Sequence, residues 1–461
     1  MSLKTIDPRW LAGTAFLLGT LVRWLARDYV NADWEIFGAQ WYEHARLHGL
    51  GALRDEFTNY APFYTYLVIL AAAFDGWAAP QVLVKWTTYP FELALALVAA
   101  RLLLLLGAGP RRAALGFSAI WLSPGVIHNG AFWGQCDAIW TFFLLLCLWA
   151  ACLGRTGWAM LAFGLAVSVK LQAVFLAPFL LGFVIRQRAS VAWFALVPLT
   201  YDAVAAPVLL AGRPVLEVAG IYLQQAGTYP NIWKGAPNLY ALIPDNLYHP
   251  MLEIGLVLAT LGGIALAWTV ARARVLTMEG LLLAGALSLA LMPFLLPKMH
   301  DRYFYAFDVV MVLFACLRPI YVPITIAALA DSLLCYMPFD GFGEFGQPVT
   351  GLQSLIILIY LTGLLRRSIS GRPVASADPE RDKARFMRPT AALWFAYLTF
   401  SLGKMALGPW LGGGAKLWPD TGAEPAGLSV FLACLVLSVL LMRRIMPGGV
   451  TTPPRAQASA A

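Results

Sequence analysis

The segment Pro297-Lys-Met-His-Asp-Arg-Tyr-Phe304 lies between two long apolar runs and carries four ionisable side chains in five consecutive positions. Charged groups at the edge of a bilayer core are costly to hold, so they are usually kept for a ligand, a partner or an ion. Arg302 offers a planar fork of donors and His300 a ring nitrogen, both suited to phosphate oxygens. With Asp301 and Tyr303 beside them, the segment predicts a binding site for an anionic lipid headgroup.

A second candidate, Asp33, follows the first apolar run in Asn31-Ala-Asp-Trp-Glu35. An Asp at this place can cap a helix by accepting hydrogen bonds from free backbone N–H groups. It can equally be a carboxylate held at the membrane surface as a general base, and the spacing alone does not separate the two. Glu35 could join it in an Asp-x-Glu pair that suits a metal. A divalent metal is therefore compatible with the sequence but not required by it.

Asp137 is a third isolated polar site, placed where a short glycine-containing stretch meets the next apolar run. It could cap that helix. However, His128, Asn129 and Gln135 crowd the same small loop, and such a cluster favours a site that includes Asp137 over a simple cap.

Lys170 lies in Ser168-Val-Lys-Leu-Gln172 within an apolar run. A lysine in such a place can extend to the membrane interface, or it can meet an anion as a point charge. Gln172 would lie beside it. Tyr60 and Asn238, in aromatic and proline-containing loops, could contact a sugar, although turn and interface roles explain them equally well.

Composition places all these residues in a membrane protein. Of 461 residues, 60% are hydrophobic and 13% charged, whereas about a quarter are charged in a soluble domain. Apolar runs recur from end to end, which predicts an all-α polytopic membrane protein. The net charge of +8 could indicate nucleic acid in a soluble protein. Here the basic turns follow the positive-inside rule, and no nucleic-acid partner is expected.

The pattern predicts about 12–14 transmembrane helices. The apolar stretch Pro62–Phe74 is too short to cross a core that needs about 20 residues. We therefore interpret it, together with the amphipathic region 33–48, as two juxtamembrane helices in the first outer loop. The basic turns and both termini then fall on the cytoplasmic side, and every candidate site residue falls on or beside the outer side.

Four motifs together resemble the GT-C superfamily of membrane glycosyltransferases, in particular bacterial relatives of the GPI mannosyltransferases. The resemblance covers about residues 10–320. One position departs from it, because family members often have Glu where this chain has Asp301. The motifs are Asp33-Trp-Glu35 with Tyr60-Ala-Pro62, Trp133-Gly-Gln-Cys-Asp137, Ser168-Val-Lys-Leu-Gln172 and Met299-His-Asp-Arg-Tyr-Phe304.

The resemblance implies inverting transfer of mannose or another hexose from a polyprenyl-phosphate sugar to a glycan, lipid or protein acceptor. Asp33 would be the base that deprotonates the acceptor hydroxyl, and the loop His300-Asp-Arg302 would face the donor phosphate. The site would open to the periplasm or cell exterior from the cytoplasmic membrane, among membrane lipids. The sugar, the acceptor and the oligomeric state are not specified by the sequence.

The same resemblance divides the chain into a catalytic transmembrane module, 1–320, and variable C-terminal transmembrane helices, 321–442. A charged cytoplasmic linker, 366–388, interrupts the second part. The Pro/Ala/Thr-rich tail 443–461 is predicted to be a disordered cytoplasmic segment.

Two other functions use similar residues. A transporter or flippase of a lipid-linked or anionic substrate would need ionisable groups near the middle of the bilayer and repeat symmetry, whereas the candidates here lie at outer ends. An oligosaccharide ligase with a lipid-pyrophosphate donor would have a similar architecture. The lipid that co-purifies with the protein would distinguish this ligase from the glycosyltransferase.

Overall fold

A computed structural model describes residues 7–227, 230–340, 347–375 and 378–407, with four more residues between 435 and 439. Every regular element within these residues is a helix, which confirms the all-α class. The last predicted span, about 425–442, lies mostly outside the described residues, and the tail 443–461 lies entirely outside them.

Several helices begin at a proline, for example Pro62, Pro80, Pro110 and Pro124. Proline suits the first turn because its φ is already helical and its missing N–H would be unpaired there anyway. The helices of the described chain are α1 Pro8–Leu25, α2 Ala39–His48, α3 Pro62–Ala72, α4 Pro80–Leu105, α5 Pro110–Trp121, α6 Pro124–Ile127, α7 Asp137–Cys152, α8 Thr156–Val169, α9 Ala177–Arg186, α10 Leu196–Leu210, α11 Val215–Gly227, α12 Tyr248–Ala271, α13 Met278–Leu295, α14 Tyr305–Leu317, α15 Val322–Tyr336, α16 Gln347–Ile369 and α17 Pro379–Leu407.

Long apolar helices support the predicted polytopic membrane class. Within the described residues, six helical segments are long and apolar enough to cross a bilayer, and shorter apolar helices lie between them. The total of about 12–14 spans stays a prediction. The six segments are Pro80–Leu105, Val191–Leu210, Asp245–Ala271, Met278–Leu295, Pro319–Tyr336 and Val349–Ile369.

The loop between α1 and α4 contains the two predicted short helical regions. A wide helical turn, Trp34–Gly38, leads into α2, and α3 follows after a 3-10 segment. α3 packs against α2 and α4. Its Tyr64, Val68 and Ile69 are buried, so α3 is embedded in the fold instead of lying on it by one face.

The chain breaks sharply after α8. Lys170 has an extended backbone, with φ −156° and ψ 139°, and is followed by the 3-10 segment Leu171–Leu176 before α9 begins. The sequence predicts a broken helical pair here, because the apolar runs 156–170 and 173–186 are each shorter than the roughly 20 residues that a membrane span needs. The break ends the helix at the one residue of this apolar run whose charge needs a partner.

A buried ion pair joins the first helices. Arg23 on α1 donates to Glu92 on α4 at 2.7 Å, and both side chains are almost fully buried. The Arg23 guanidinium also lies 3.6 Å from the centre of the Trp121 ring on α5. Because a single buried charge is strongly destabilising while a pair is tolerated, this contact fixes how α1, α4 and α5 pack.

The chain forms two compact units, Met1–Val374 and Ala375–Ala461. Within the first unit, α15 and α16 pack against α14 and α13 respectively. Residues of the predicted linker 366–388 form the end of α16 and the beginning of α17. The functional boundary near residue 320 stays a prediction.

The predicted orientation can be tested at the two ends of α12. Leu247 and Val275 are both exposed, 42% and 44%, just before and just after this helix. If the loop before α12 is outside, a cysteine at position 247 should react with a membrane-impermeant thiol reagent in intact cells, and one at position 275 only after lysis. The unmodified chain is the control for its native cysteines. The reverse pattern would place the cavity described below on the cytoplasmic side.

Candidate functional site

A cavity of about 890 Å³ brings distant parts of the first unit together. Its walls come from the loop between α1 and α4, the stretch before α7, the break after α8, the start of α12 and the loop after α13. Nine of the predicted site residues line it: Asp33, Tyr60, Gln135, Lys170, Gln172, His300, Asp301, Arg302 and Tyr303.

Asp33 does not act as a helix cap. Its side chain makes no capping hydrogen bond, and the Asn31 side chain accepts from the Trp34 N–H instead. The Asp33 carboxylate is 39% exposed and lines the cavity. The general-base interpretation is therefore compatible with the geometry, whereas the capping interpretation is not.

Gln135 fixes the orientation of that carboxylate. Its amide nitrogen donates to Asp33 Oδ2 at 2.9 Å, and its amide oxygen accepts from the Tyr60 hydroxyl at 3.4 Å. Burial raises the pKa of Tyr60 well above its usual value, so the hydroxyl stays a donor. Trp41 packs edge-on against Tyr60 with ring centres 5.6 Å apart. Gln135, 102 residues away along the chain, thus positions Oδ2 of Asp33.

Asp137 occupies a different environment, because it is completely buried. Its oxygens accept from Asn129 at 2.8 Å, from Trp140 at 2.8 Å and from the Lys170 ammonium at 2.5 Å. Asp137 does not line the cavity. A carboxylate so fully engaged is poorly placed to take a proton from a substrate, and its geometry is that of an anchor for Lys170.

Arg302 stands among three carboxylates. Its nitrogens lie 3.6 Å from Asp33, 3.7 Å from Asp137 and 3.8 Å from Asp301. We name Asp33, Asp137, Asp301, Lys170 and Arg302 the carboxylate–cation cluster. With all five groups ionised the cluster would have one negative charge more than positive.

Burial of Asp301 reduces this excess of negative charge, because it favours the protonated carboxyl group. Loss of solvent raises the pKa of the Asp301 carboxyl to about 7, with smaller contributions from the charges of Asp33 and Asp137, while Arg302 opposes the shift. Burial, together with the charge of Arg302, lowers the pKa of His300 well below its usual value. The His300 ring is therefore uncharged near neutral pH and could bind a phosphate only as an N–H donor.

Three cavity-lining polar atoms are buried and have no hydrogen-bond partner within the described part of the chain. They are Gln172 Oε1, Asp301 Oδ2 and Arg302 Nε. Because buried polar atoms are nearly always satisfied, unpartnered atoms in a cavity wall are positions where polar groups of a ligand could bind.

Besides Asp137, three predicted residues do not reach the cavity wall. Glu35 is exposed on the outside of its helical turn, so it makes no pair with Asp33 toward the cavity. His128 stacks on Tyr336 with ring centres 4.9 Å apart. Asn238 donates to Pro293 O and caps a turn at Tyr240 N. No group of three or more metal-ligating side chains occurs within the described residues.

Two lysines in the cavity wall were not selected from the sequence as site residues. They are Lys234 and Lys298, which we name the lysine pair. Lys298 lies in the charged segment Pro297–Phe304, and its charge was the available signal. Lys234 lies in an aromatic and proline-containing loop. Nothing in the sequence indicates that this loop contacts the loop of Lys298, 64 positions later.

Comparison with known proteins adds no assignment, because no family model matches the chain and no curated protein matches it significantly. Function is therefore inferred from the cavity itself.

The anchoring role of Asp137 predicts a large stability effect. Asp137→Asn removes the charge that compensates the buried Lys170 ammonium, and breaking a buried pair in this way typically costs about 3–5 kcal/mol. Asp137→Asn with Lys170→Met should recover much of that loss, because no buried charge is then left alone. Unfolding in detergent measures both. Glu43→Gln is the control, since its pair with Arg46 at 2.7 Å is exposed and should matter little. Equal stability of the single variant and the parent would contradict the anchor.

The raised pKa of Asp301 predicts a pH dependence of stability. In the folded protein the Asp301 carboxyl keeps its proton up to about pH 7. In the unfolded chain an Asp side chain loses its proton at about pH 4. Between these values the folded state binds more protons, so the free energy of unfolding falls as pH rises. Asp301→Asn should remove this part of the decline, seen as a flatter change in unfolding temperature between about pH 4 and about pH 7. Asp28→Asn, at a side chain 61% exposed, should retain it. Identical slopes in all three proteins would be the adverse result.

Proposed function

We propose that the protein is an inverting glycosyltransferase of GT-C type, which transfers a hexose such as mannose from a polyprenyl-phosphate sugar to an acceptor hydroxyl at the outer face of the cytoplasmic membrane. The observation that carries the proposal is Asp33, a carboxylate exposed inside a large cavity and fixed by Gln135 and Arg302. A general base needs this combination of access to a substrate proton and fixed orientation.

The chemistry requires few groups. The acceptor oxygen attacks the anomeric carbon while the bond from that carbon to the phosphate oxygen breaks, and the acceptor proton passes to Asp33. The polyprenyl phosphate leaves with the bonding electron pair, and nearby cations stabilise the added charge. One displacement inverts the anomeric carbon, so no covalent enzyme intermediate is formed.

The surroundings of Asp33 suit that task. Arg302, 3.6 Å away, places a positive charge beside the carboxylate. Gln135 occupies Oδ2 as a donor, so the acceptor proton would go to the other oxygen, Oδ1. Aromatic rings of Trp41, Tyr60 and Tyr64 lie on the same side of the cavity. Such rings are suited to the apolar faces of a sugar.

Replacement of the base is the direct test. Asp33→Asn keeps the size and the contact with Gln135 but cannot accept a proton. Sugar transfer from a polyprenyl-phosphate hexose should fall by about 10²–10⁴-fold, the usual contribution of a general base. Glu35→Gln is the matched control, because it removes a carboxylate two residues away that is exposed and outside the cavity wall, and it should retain transfer.

Radiolabelled donor and membranes that contain the natural acceptor would measure this transfer. A folded Asp33→Asn protein with normal turnover would refute the assigned base. If the unmodified protein moves the lipid-linked sugar across proteoliposomes and transfers none, the transporter alternative would replace the proposal.

A further inference from the structure

Four aromatic side chains of the cavity wall lie together beside Asp33. All four line the cavity and are partly exposed, and we name them the aromatic shelf: Trp34, Phe37, Trp41 and Tyr60. The Trp41 ring centre lies 5.8 Å from that of Phe37 and 5.6 Å from that of Tyr60. Trp41 therefore joins the helical turn after Asp33 to the loop before α3.

The backbone after Asp33 makes room for the first ring of the shelf. Trp34 begins the wide helical turn that ends at Gly38. A Cβ at Gly38 would lie 2.6 Å from the Trp34 ring, whereas carbon atoms in favourable contact are about 3.5–4.0 Å apart. The missing side chain at Gly38 thus allows the Trp34 indole to pack against this turn.

Hydrogen bonds connect the other end of the shelf to the Asp33 carboxylate. The Tyr60 hydroxyl donates to Gln135 Oε1 at 3.4 Å, and Gln135 Nε2 donates to Asp33 Oδ2 at 2.9 Å. Asp33 is therefore bordered by the shelf twice, by Trp34 along the chain and by Tyr60 through Gln135. A ligand ring that lies on the shelf is placed beside this carboxylate.

Amide side chains accompany the rings, and few charges do. Asn31, Asn59 and Gln225 line the same cavity, and the Gln225 amide donates to the backbone oxygen of Asn59, which brings α11 to the loop before α3. Amides both donate and accept hydrogen bonds, as the hydroxyl groups of a sugar do. Among the cavity-lining residues between 31 and 84 that the structure describes, Asp33 alone is charged at neutral pH. Rings and amides with little charge suit an uncharged, hydroxyl-rich ligand.

The geometry of the proposed reaction decides which sugar lies on this side. In a single displacement the acceptor oxygen and the departing phosphate lie on opposite sides of the anomeric carbon. The departing phosphate is stabilised by cations, and every Lys and Arg of the cavity wall comes from outside residues 31–84, namely Lys170, Arg302 and the lysine pair. Asp33 takes the acceptor proton, so the acceptor belongs on the side of Asp33 and the shelf.

We propose that the aromatic shelf is the acceptor site, and that the acceptor group is an uncharged sugar ring with one hydroxyl at Asp33. A serine or threonine side chain is too small to cover these rings, and a lipid alcohol makes no use of the amides. The role of the bound sugar as acceptor rests on the proposed function, whereas the binding of a sugar to the shelf does not require transfer.

Binding of neutral methyl glycosides of mannose, glucose and galactose to the full-length protein in nanodiscs, without donor, tests the site by ligand-observed NMR. Trp41→Leu removes one ring but keeps an apolar side chain, and it should weaken binding by about threefold to tenfold, the size expected for lost aromatic contacts. Gly38→Ala keeps all four rings but displaces that of Trp34, and it should weaken binding as well. Trp41→Tyr should restore most of the affinity.

The matched control is Trp77→Leu, because Trp77 is 78% exposed and lies outside the cavity wall; it should bind as the parent does. Unchanged binding in both Trp41→Leu and Gly38→Ala, an equal loss in Trp77→Leu, or no glycoside binding to the parent would overturn the assignment. Binding of a serine- or threonine-containing peptide in place of every glycoside would replace the sugar by a protein acceptor.

The donor sugar is distinguished from the acceptor by competition. In the Asp33→Asn protein, saturation with a polyprenyl-phosphate hexose should leave glycoside affinity unchanged, whereas displacement of the glycoside would assign the shelf to the donor and overturn the proposal. The direct binding measurement involves no transfer. Shelf-dependent sugar binding in a protein that fails the Asp33 activity test would therefore leave the sugar site standing and remove only its role as acceptor site.

Discussion

Burial of the Asp137 charge is the constraint on which the cavity depends. A carboxylate without solvent is tolerated only if cations and donors surround it, because desolvation costs several kcal/mol per ion. Lys170 at 2.5 Å and Arg302 at 3.7 Å supply the charge. These two residues come from the break after α8 and from the loop after α13, so one buried carboxylate holds both segments against the start of α7.

The carboxyl groups around Arg302 lie close together but in different environments. Asp137 is saturated by donors and closed to substrate, whereas Asp33 keeps a solvent-facing carboxylate and shares the same Arg302. Asp301 differs from both, since burial raises its pKa to about 7. One guanidinium therefore serves three carboxyl groups in three environments, and only the environment of Asp33 combines exposure with a fixed orientation.

A buried charge does not by itself mark a functional site in this chain. Arg23 and Glu92 form an equally buried pair, yet neither lines the cavity, and their contact with Trp121 is explained by helix packing. Desolvation of charged groups therefore explains both the Arg23–Glu92 pair, which serves helix packing, and the ion pairs beside the cavity. What distinguishes the two places is the open volume that Arg302 borders.

The sequence by itself determined the all-α membrane class, the short helices between α1 and α4 and the break at Lys170, because hydrophobic runs and isolated charges are local properties. It also selected nine residues that line one cavity. Tertiary structure decided their roles: Asn31 caps the helical turn in place of Asp33, and Asn238 holds a loop against α13. It alone joined the loop of Lys234 to the loop of Lys298, since Lys298 N donates to Ile232 O and Asp301 N donates to Lys234 O, and no side-chain pattern encodes such backbone hydrogen bonds.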